Sequence, residues 1–381
     1  MMLRIGLLGF TLENANKGCE ALTYSFLYTM QRLFGKKLTV RYYFVIELYG
    51  KIKEYFPDIT FEYYQTSRKN ILLDIKKDFT ENCDLVFDIT YGDGFSDIYN
   101  PKGAFLNNLI KLRAGGSKTP YILLPQTYGP FENKKLERQA ARAIRKATLV
   151  FSRDTLSTDY VKRISGVDAL TVTDLAFALP FEAVKHEGNK TRVGINVSGL
   201  LWKGGFYKDN QFGLTVDYQK YITSLIEFFS DKPEYEVHLV PHVIEAVAKS
   251  NDGDLYVNDL LSEKYPFVKK APAFEDPVEC KNYIAGLDVL TAARMHATVD
   301  AFSSGVPVIP FAYSRKFEGL YGSLGYNNIV DGCSFSTEQA VGETLRLIKS
   351  ADTLRAEEEK CMKTIEQKNE IFYSALKKLV K

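Results

Sequence analysis

The sequence predicts two Rossmann-like α/β domains, each a parallel β-sheet covered by helices, facing one another across a cleft. Three observations lead there. Short apolar strands alternate with helical stretches through the first half of the chain, the rhythm of βαβ units. A polar stretch over residues 178–191, ALPFEAVKHEGNKT, breaks that rhythm and carries Pro180 and a Gly-Asn pair, as a linker does. The alternation then starts afresh, and 381 residues are enough for two medium-sized domains. The breaks place a first domain over 1–180, a second over 181–350 and a last helix over 351–381.

In chain order, the first strand spans 3–9 and a helix follows over 18–34. Strands come next at 38–45, 85–89, 121–124 and 149–152, with helical patterns such as 105–113 and 134–146 between them. Each strand is a short apolar run, which suits a parallel sheet buried on both faces. The second half repeats the pattern with strands at 193–197, 236–240, 267–270, 287–291 and 308–311. Residues 353–380 are long, charged and helical in composition. The opening MMLRIGLLGF turns polar too soon for a signal peptide and reads as the first strand. No apolar run reaches the ~20 residues of a spanning helix.

Composition narrows the function. With a formal net charge of +2, nothing points to a nucleic-acid partner. Basic residues cluster over 134–146 and 360–381; they read as solvated helix faces, with docking to an anionic membrane surface as the alternative. The five cysteines are scattered, and no Cys/His pair has metal-ligand spacing. A reducing, cytoplasmic setting without a metal site is expected.

Several strand ends carry polar clusters. GFTLENANKGCEAL, residues 9–22, runs from strand through an Asn/Gly loop into a helix near Gly18, with Glu20 in its first turn. Such a helix start can bind an anion, or be a plain strand–loop–helix corner; it matches neither nucleotide fingerprint. DITYGDGFSDIYN, residues 88–100, brings Asp88, Asp93 and Asp97 together. These carboxylates can orient sugar hydroxyls or act as a base, or they can serve as turn and cap residues. Gln126 ends the strand of LPQTYGPF, a normal place for a substrate contact. Arg153 follows a strand directly, as an anion clamp or as an ion-pair partner of Asp174. Asn196, Ser198 and His242 lie near strand ends of the second half, whereas His186 and His238 suggest no role.

The most informative stretch is AARMHATVDAFSSGVPVIPFAYSRKF, residues 292–317. Arg294 and His296 stand where an apolar strand gives way to a small-residue helix. A buried-strand pattern follows, then a second basic pair, Arg315 and Lys316. In an open α/β sheet, ligands sit at the carboxyl ends of the strands. An arginine, an imidazole and a helix N-terminus meeting there can hold an anion and move a proton near neutral pH.

Taken in order, NKGCEAL, YGDGFSD, LPQTYGPF, the SRD of 152–154, TDLAF and the 292–317 segment resemble the polysaccharide pyruvyl transferase family. The resemblance implies a GT-B-like fold with the active site between the domains. The acceptor would lie on the first domain and phosphoenolpyruvate on the second, and the last helix would return to the first. It also implies the reaction: a pyruvyl group passes from phosphoenolpyruvate to a sugar of a cell-surface polysaccharide or its lipid-linked precursor. The product is a ketal across two hydroxyls, and phosphate is released. Through the RMH motif, donor binding and catalysis fall to Arg294 and His296. The doubly anionic donor needs about two or three cationic partners. Arg153, Arg294 and Lys316 are the candidates, with Arg315 next. His296 is expected to protonate the methylene carbon, Asp88 or Asp93 to act as base, and the arginines to stabilise departing charge. Asn16, Gly18, Glu20, Gln126, Asn196 and His242 complete the expected binding set. No cofactor or metal is called for beyond phosphoenolpyruvate as donor substrate. Expected partners are a glycan or lipid-linked saccharide, a membrane surface peripherally, and, as a base rate, a second copy in a homodimer. Cys19, where a small Ala is more usual, and Lys17 within the loop depart from the family's pattern, and both bear on the fit of the acceptor. The rival reading is a GT-B glycosyltransferase using a nucleotide sugar, with Asp300 or Glu318 as the ribose-holding carboxylate. A non-catalytic glycan-binding protein is the other.

Overall fold

The computed structural model describes residues 2–35, 37–44, 51–98, 100–184, 188–245 and 252–380. They divide into two compact units. One comprises Met1–Glu13, Leu22–Leu175 and Ile365–Lys381; the other comprises Asn14–Ala21 and Ala176–Thr364.

The first unit is built on β1 (Leu3–Leu8), β2 (Leu38–Phe44), β3 (Ile59–Gln65), β4 (Leu85–Asp88), β5 (Tyr121–Leu123), β6 (Leu149–Ser152) and β7 (Leu170–Thr171). They form one sheet in the order β3-β2-β1-β4-β5-β6-β7, and every pairing is parallel. The chain winds outward from β1 in one direction and from β4 in the other. The crevice at the carboxyl ends of β1 and β4 is therefore a topological switch point. Ile5, Leu7 and Phe87 are buried in the central strands, and Phe26 of the helix Lys17–Phe34 packs its ring 4.9 Å from that of Phe87. The sequence reading missed β3. As an edge strand it buries only Ile59 and leaves its other residues part-buried or exposed, so ITFEYYQ never makes the continuous apolar run of a central strand.

The second unit carries β8 (Thr191–Asn196), β9 (Tyr235–Leu239), β10 (Lys269–Lys270), β11 (Val289–Ala292), β12 (Val308–Ala312) and β13 (Val330–Asp331). Their order is β10-β9-β8-β11-β12-β13, again parallel throughout. The switch point here lies between β8 and β11. Their register sets Asn196 beside Ala292, two residues before Arg294. Two expected features fall partly or wholly outside the described residues: the end of the 38–45 strand and His186.

The helices begin and end where their capping and apolar residues dictate. Asp154 caps the helix Thr155–Ser165, accepting the Ser157 N–H at 2.6 Å. The basic helix Lys134–Lys146 buries Leu136, Ala140, Ala143 and Ile144 and leaves its charges on the other faces.

The last helix, Ala351–Leu379, brings a carboxylate into the second unit's interior. Glu358 is buried; its Oε1 accepts the Val308 N–H at 2.7 Å and stands 3.2 Å from the Tyr326 hydroxyl. Burial pushes this carboxyl up to about 8, against the opposing pull of those two contacts. A folded-state value above the unfolded one favours folding at low pH, and the contribution is lost as pH rises towards 8. Glu358→Gln keeps the acceptor and cannot ionise. Its melting temperature should nearly match wild type at about pH 5 and exceed it by a few degrees at about pH 9. Thermal melts across that range check this, and a constant difference at all pH values would contradict it.

Candidate active site

At the second unit's switch point, Asn196 Oδ1 accepts the Arg294 N–H at 2.9 Å, and its amide donates to the Val240 carbonyl at 2.9 Å. Arg294 is the N-cap of the helix Met295–Ser303 and makes no side-chain cap bond. Its guanidinium turns to two carboxylates instead. Nη2 lies 2.6 Å and Nε 3.0 Å from Asp254 Oδ1, while Nη1 lies 2.7 Å from Asp252 Oδ1. Nη2 also donates to the Asp252 carbonyl. Burial works against the charge, but Asp254 and then Asp252 outweigh it and hold the guanidinium above its ordinary value. Asp254 is itself wholly buried and accepts the backbone N–H groups of Gly199 at 2.9 Å and of His242 and Val243 at 3.0 Å.

The segment Asn14–Ala21 belongs to this unit and lies against the same place. Asn16 pairs with Val243 in an antiparallel bridge, and the Lys17 N–H donates to the His242 carbonyl at 3.0 Å. Asn16 Oδ1 accepts the Gly18 N–H at 3.1 Å, opening the helix Lys17–Phe34. Lys17 reaches Glu20 at 2.9 Å and the Glu275 carbonyl at 2.8 Å. Gly18 is required by close approach: a Cβ there would stand 2.3 Å from His296 Nδ1. Of the residues singled out from sequence, Asn16, Gly18, Glu20, Asn196, His242, Arg294 and His296 are thus brought together. Arg315 and Lys316 open the helix Arg315–Gly322 beyond β12, the strand beside β11, and both are part-exposed. Cations in a helix's first turn oppose its dipole, and Glu318 in the same turn favours it.

His242 is less accessible than expected. Its Nε2 lies 3.0 Å from Asp300 Oδ2, and both side chains are buried. His242 Nδ1 and Asp300 Oδ1 have no hydrogen-bond partner among the described residues. Cys280 joins them, with ligand atoms of all three within 4.8 Å of one another. Burial holds the Cys280 thiol well above its ordinary value. This group could hold a metal ion, and sequence spacing could not show it because its members come from separate elements.

The remaining candidates lie in the first unit. Asp88 ends β4 beside a hollow of about 200 Å³ at the switch point. It is not an open carboxylate. Lys111 and Tyr121 each donate to Oδ2 at 2.7 Å, and the Thr90 hydroxyl and N–H donate to Oδ1 at 2.7 and 3.1 Å. Burial pushes the Lys111 ammonium down, and Asp88 pulls it back only in part. With its lone pairs taken, Asp88 is a structural counter-ion and a poor general base, which corrects the expectation. Beyond it, Thr90, Tyr91 and Gly92 take the left-handed region in succession, costly for a β-branched threonine. Asp93 follows, part-buried. Gln126 is buried and donates to the Asp88 carbonyl at 3.1 Å. Arg153 is buried on Asp174 at 2.8 Å and Thr127 at 2.9 Å, the ion pair weighed from sequence; its Nη2 has no hydrogen-bond partner among the described residues.

Sequence reasoning missed Lys111, Asp252 and Asp254. An Asp-Gly-Asp ahead of a helix reads as capping, and only the fold sets it under Arg294.

Known proteins agree with this architecture. A solved structure of a UDP-N-acetylglucosamine 2-epimerase, described as putative, from Listeria monocytogenes superposes with a TM-score of 0.63 at 11% identity, covering 98% of this chain and 95% of that one. The epimerase from Neisseria meningitidis, solved with UDP-GlcNAc, gives 0.62 at 11% identity, covering 99% and 100%. The lipopolysaccharide galactosyltransferase WaaB gives 0.54 at 13%, covering 98% and 100%. At such identities the likeness establishes the fold, two parallel-sheet α/β domains of the GT-B type. No curated protein matches in sequence. Among the described residues no helix is long and apolar enough to cross a membrane. The family model for polysaccharide pyruvyl transferase matches residues 16–315, from the Asn16 loop to Arg315, and the chain belongs to that family.

Proposed function

We propose that the protein transfers a pyruvyl group from phosphoenolpyruvate to two hydroxyls of a glycan sugar, forming a ketal and releasing inorganic phosphate. The observation that carries this reading is the meeting of Arg294, His296 and the Gly18 backbone at the second unit's switch point, inside the segment the family model matches.

His296 gives a proton to the methylene carbon, which becomes a methyl group and leaves C2 electron-poor. A sugar hydroxyl oxygen bonds to C2 and gives up its proton. The C2–O bond to phosphate breaks, and the second hydroxyl closes the ketal with loss of its own proton. Of the two hydroxyl protons, one restores His296 and the other leaves on phosphate. Of the two expected bases, Asp88 is committed to Lys111, Tyr121 and Thr90, which leaves Asp93.

Arg294 and the Arg315–Lys316 pair supply charge for the donor's carboxylate and phosphate. Asp254 and Asp252 differ in what they allow. The Asp254 side chain is wholly buried, whereas that of Asp252 is 33% exposed. Asp254 aims the guanidinium; Asp252 is the carboxylate a substrate anion would displace. A nucleotide-sugar enzyme would instead need a carboxylate for the ribose, and Asp300, one of the two weighed, is buried on His242. A lipid-linked acceptor would bring the protein to the inner membrane face, where the outer face of Lys134–Lys146 meets anionic headgroups.

Phosphate release from phosphoenolpyruvate, with a panel of glycosides and lipid-linked saccharides and mass spectrometry of the products, tests the reaction. The product should gain about 70 Da, the mass of the ketal unit. His296→Ala should slow release by about 10²–10⁴-fold, the usual loss of a general acid. Turnover of nucleotide sugars with none of phosphoenolpyruvate would replace the assignment. Asp252→Asn removes an internal competitor worth about 1 kcal/mol, so KM for phosphoenolpyruvate should fall roughly 5-fold with kcat little changed. An unchanged or raised KM would mean that the donor does not reach Arg294.

A further inference from the structure

In the second unit, a hollow of about 590 Å³ opens between the short helix Gly199–Trp202 and the helix Asp254–Lys264. Trp202, Tyr256 and Tyr218 line it together with Lys203, Lys208 and Asp217. Its size falls among small-molecule sites, which are largely apolar with a few placed polar groups. The aromatic wall is held firmly. The Trp202 carbonyl accepts the Gln219 amide at 2.7 Å, and the Ser198 N–H donates to the Tyr218 hydroxyl at 3.0 Å. The Lys203 ammonium lies 5.0 Å from the centre of the Tyr256 ring. Asp217 is committed elsewhere, its Oδ1 accepting the Lys220 N–H at 3.1 Å as a helix cap. The hollow therefore offers aromatic faces and two lysines.

The two helices that flank it are tied to Arg294 through Asp254. The Gly199 N–H donates to Asp254 Oδ1 at 2.9 Å, the same oxygen that takes Arg294 Nη2 at 2.6 Å. A Cβ on Gly199 would stand 2.0 Å from the Gly253 carbonyl oxygen, so both walls meet there backbone to backbone. One buried carboxylate thus fixes Arg294 and both walls of the hollow.

We propose that this hollow is a subsite for a sugar ring of the acceptor, one with a phosphate or carboxylate beside it. The proposal rests on the pyruvyl-transfer reading. A pyranose has an apolar C–H face that covers an aromatic ring and hydroxyls around its edge. Lys203 and Lys208 supply charge complementarity for the anionic group. That group comes either from the sugar phosphate of a lipid-linked precursor or from a uronic acid of the polymer.

Trp202 is the sole tryptophan of the chain, so its fluorescence reports on this hollow directly. The full chain, without phosphoenolpyruvate, is titrated with glucose 1-phosphate, a glucuronic-acid disaccharide, methyl glucoside and inorganic phosphate, with calorimetry alongside. A saturable change is expected with an anionic saccharide, about tenfold weaker with methyl glucoside, and none with phosphate alone. The tighter of the two anionic sugars identifies the source. Lys203→Ala should weaken binding about 5-fold and flatten its salt dependence. No saturable response to any saccharide, or an equal response to inorganic phosphate, overturns the subsite. Phosphate release separates the two readings. If Trp202→Phe and Lys203→Ala keep the wild-type KM for acceptor, the subsite is wrong and pyruvyl transfer stands. If saccharide binds at Trp202 while phosphoenolpyruvate is never turned over, the reaction is wrong and the subsite stands.

Discussion

The Asp254 carboxylate has no exposure to solvent, accepts three backbone N–H groups and pairs with Arg294. A buried carboxylate is costly unless its lone pairs are filled and its charge is balanced, and here both conditions are met. The consequence reaches well beyond one ion pair. The N–H groups it holds belong to Gly199 after β8 and to His242 and Val243 after β9, while Arg294 follows β11. Three strand ends are thereby fixed to one point. The Asn14–Ala21 segment then docks on that point through Lys17 and Asn16, which meet His242 and Val243. Remove the carboxylate and Arg294 is left buried, while the loops lose their common anchor.

Both units use the same winding, with the strand order reversing between the first and fourth strands of each sheet. Each places an ion pair at the reversal, but the pairs are of different kinds. Lys111 and Asp88 in the first unit are closed upon themselves, with Thr90 and Tyr121 filling the rest of the carboxylate. Arg294 in the second is planar and many-handed, and one of its two carboxylates stays partly open to solvent. A compact ammonium buried in this way has nothing left to give, whereas a guanidinium can exchange one partner while keeping another. The same fold thus yields a structural site in one unit and a candidate reactive site in the other.

The sequence made the central strands and their polar ends legible, because fully buried parallel strands are continuous apolar runs and the residue after each run is a cleft residue by topology. That logic singled out Arg294, His296, Asn196 and Arg153, and the structure sets each of them at or just beyond a strand end. It missed β3, whose edge position breaks the apolar run, and it overstated β10, where only Lys269–Lys270 pair. It also gave Asp88 a base's role, since a strand-end aspartate looks the same in sequence whether a lysine from a distant helix covers it or not. Lys111 sits within an ordinary amphipathic stretch, and nothing local marks it as buried. Asp254 was hidden for the same reason: its helix-start position supplies a sufficient local explanation, and its partner lies 40 residues away.

Flanking carboxylates are compatible with an anion site at a buried arginine. A guanidinium buried with empty donors would bear an uncompensated desolvation penalty in the resting protein. The donors would then draw in water or rotate away. Asp254 holds the guanidinium plane in place from within, so substrate need not order it. On the proposed reading, Asp252 would keep the outer donors satisfied until the donor anion displaced it. Such an exchange would replace one carboxylate by another negative group, so the net change in charge around Arg294 would be smaller than binding to a bare cation requires. Affinity would be moderated, and the arginine would enter the reaction already aimed. His296, resting on Gly18 one step along the same helix start, shares that rigidity, because Asn16 and Lys17 tie the glycine to the loop that Asp254 anchors.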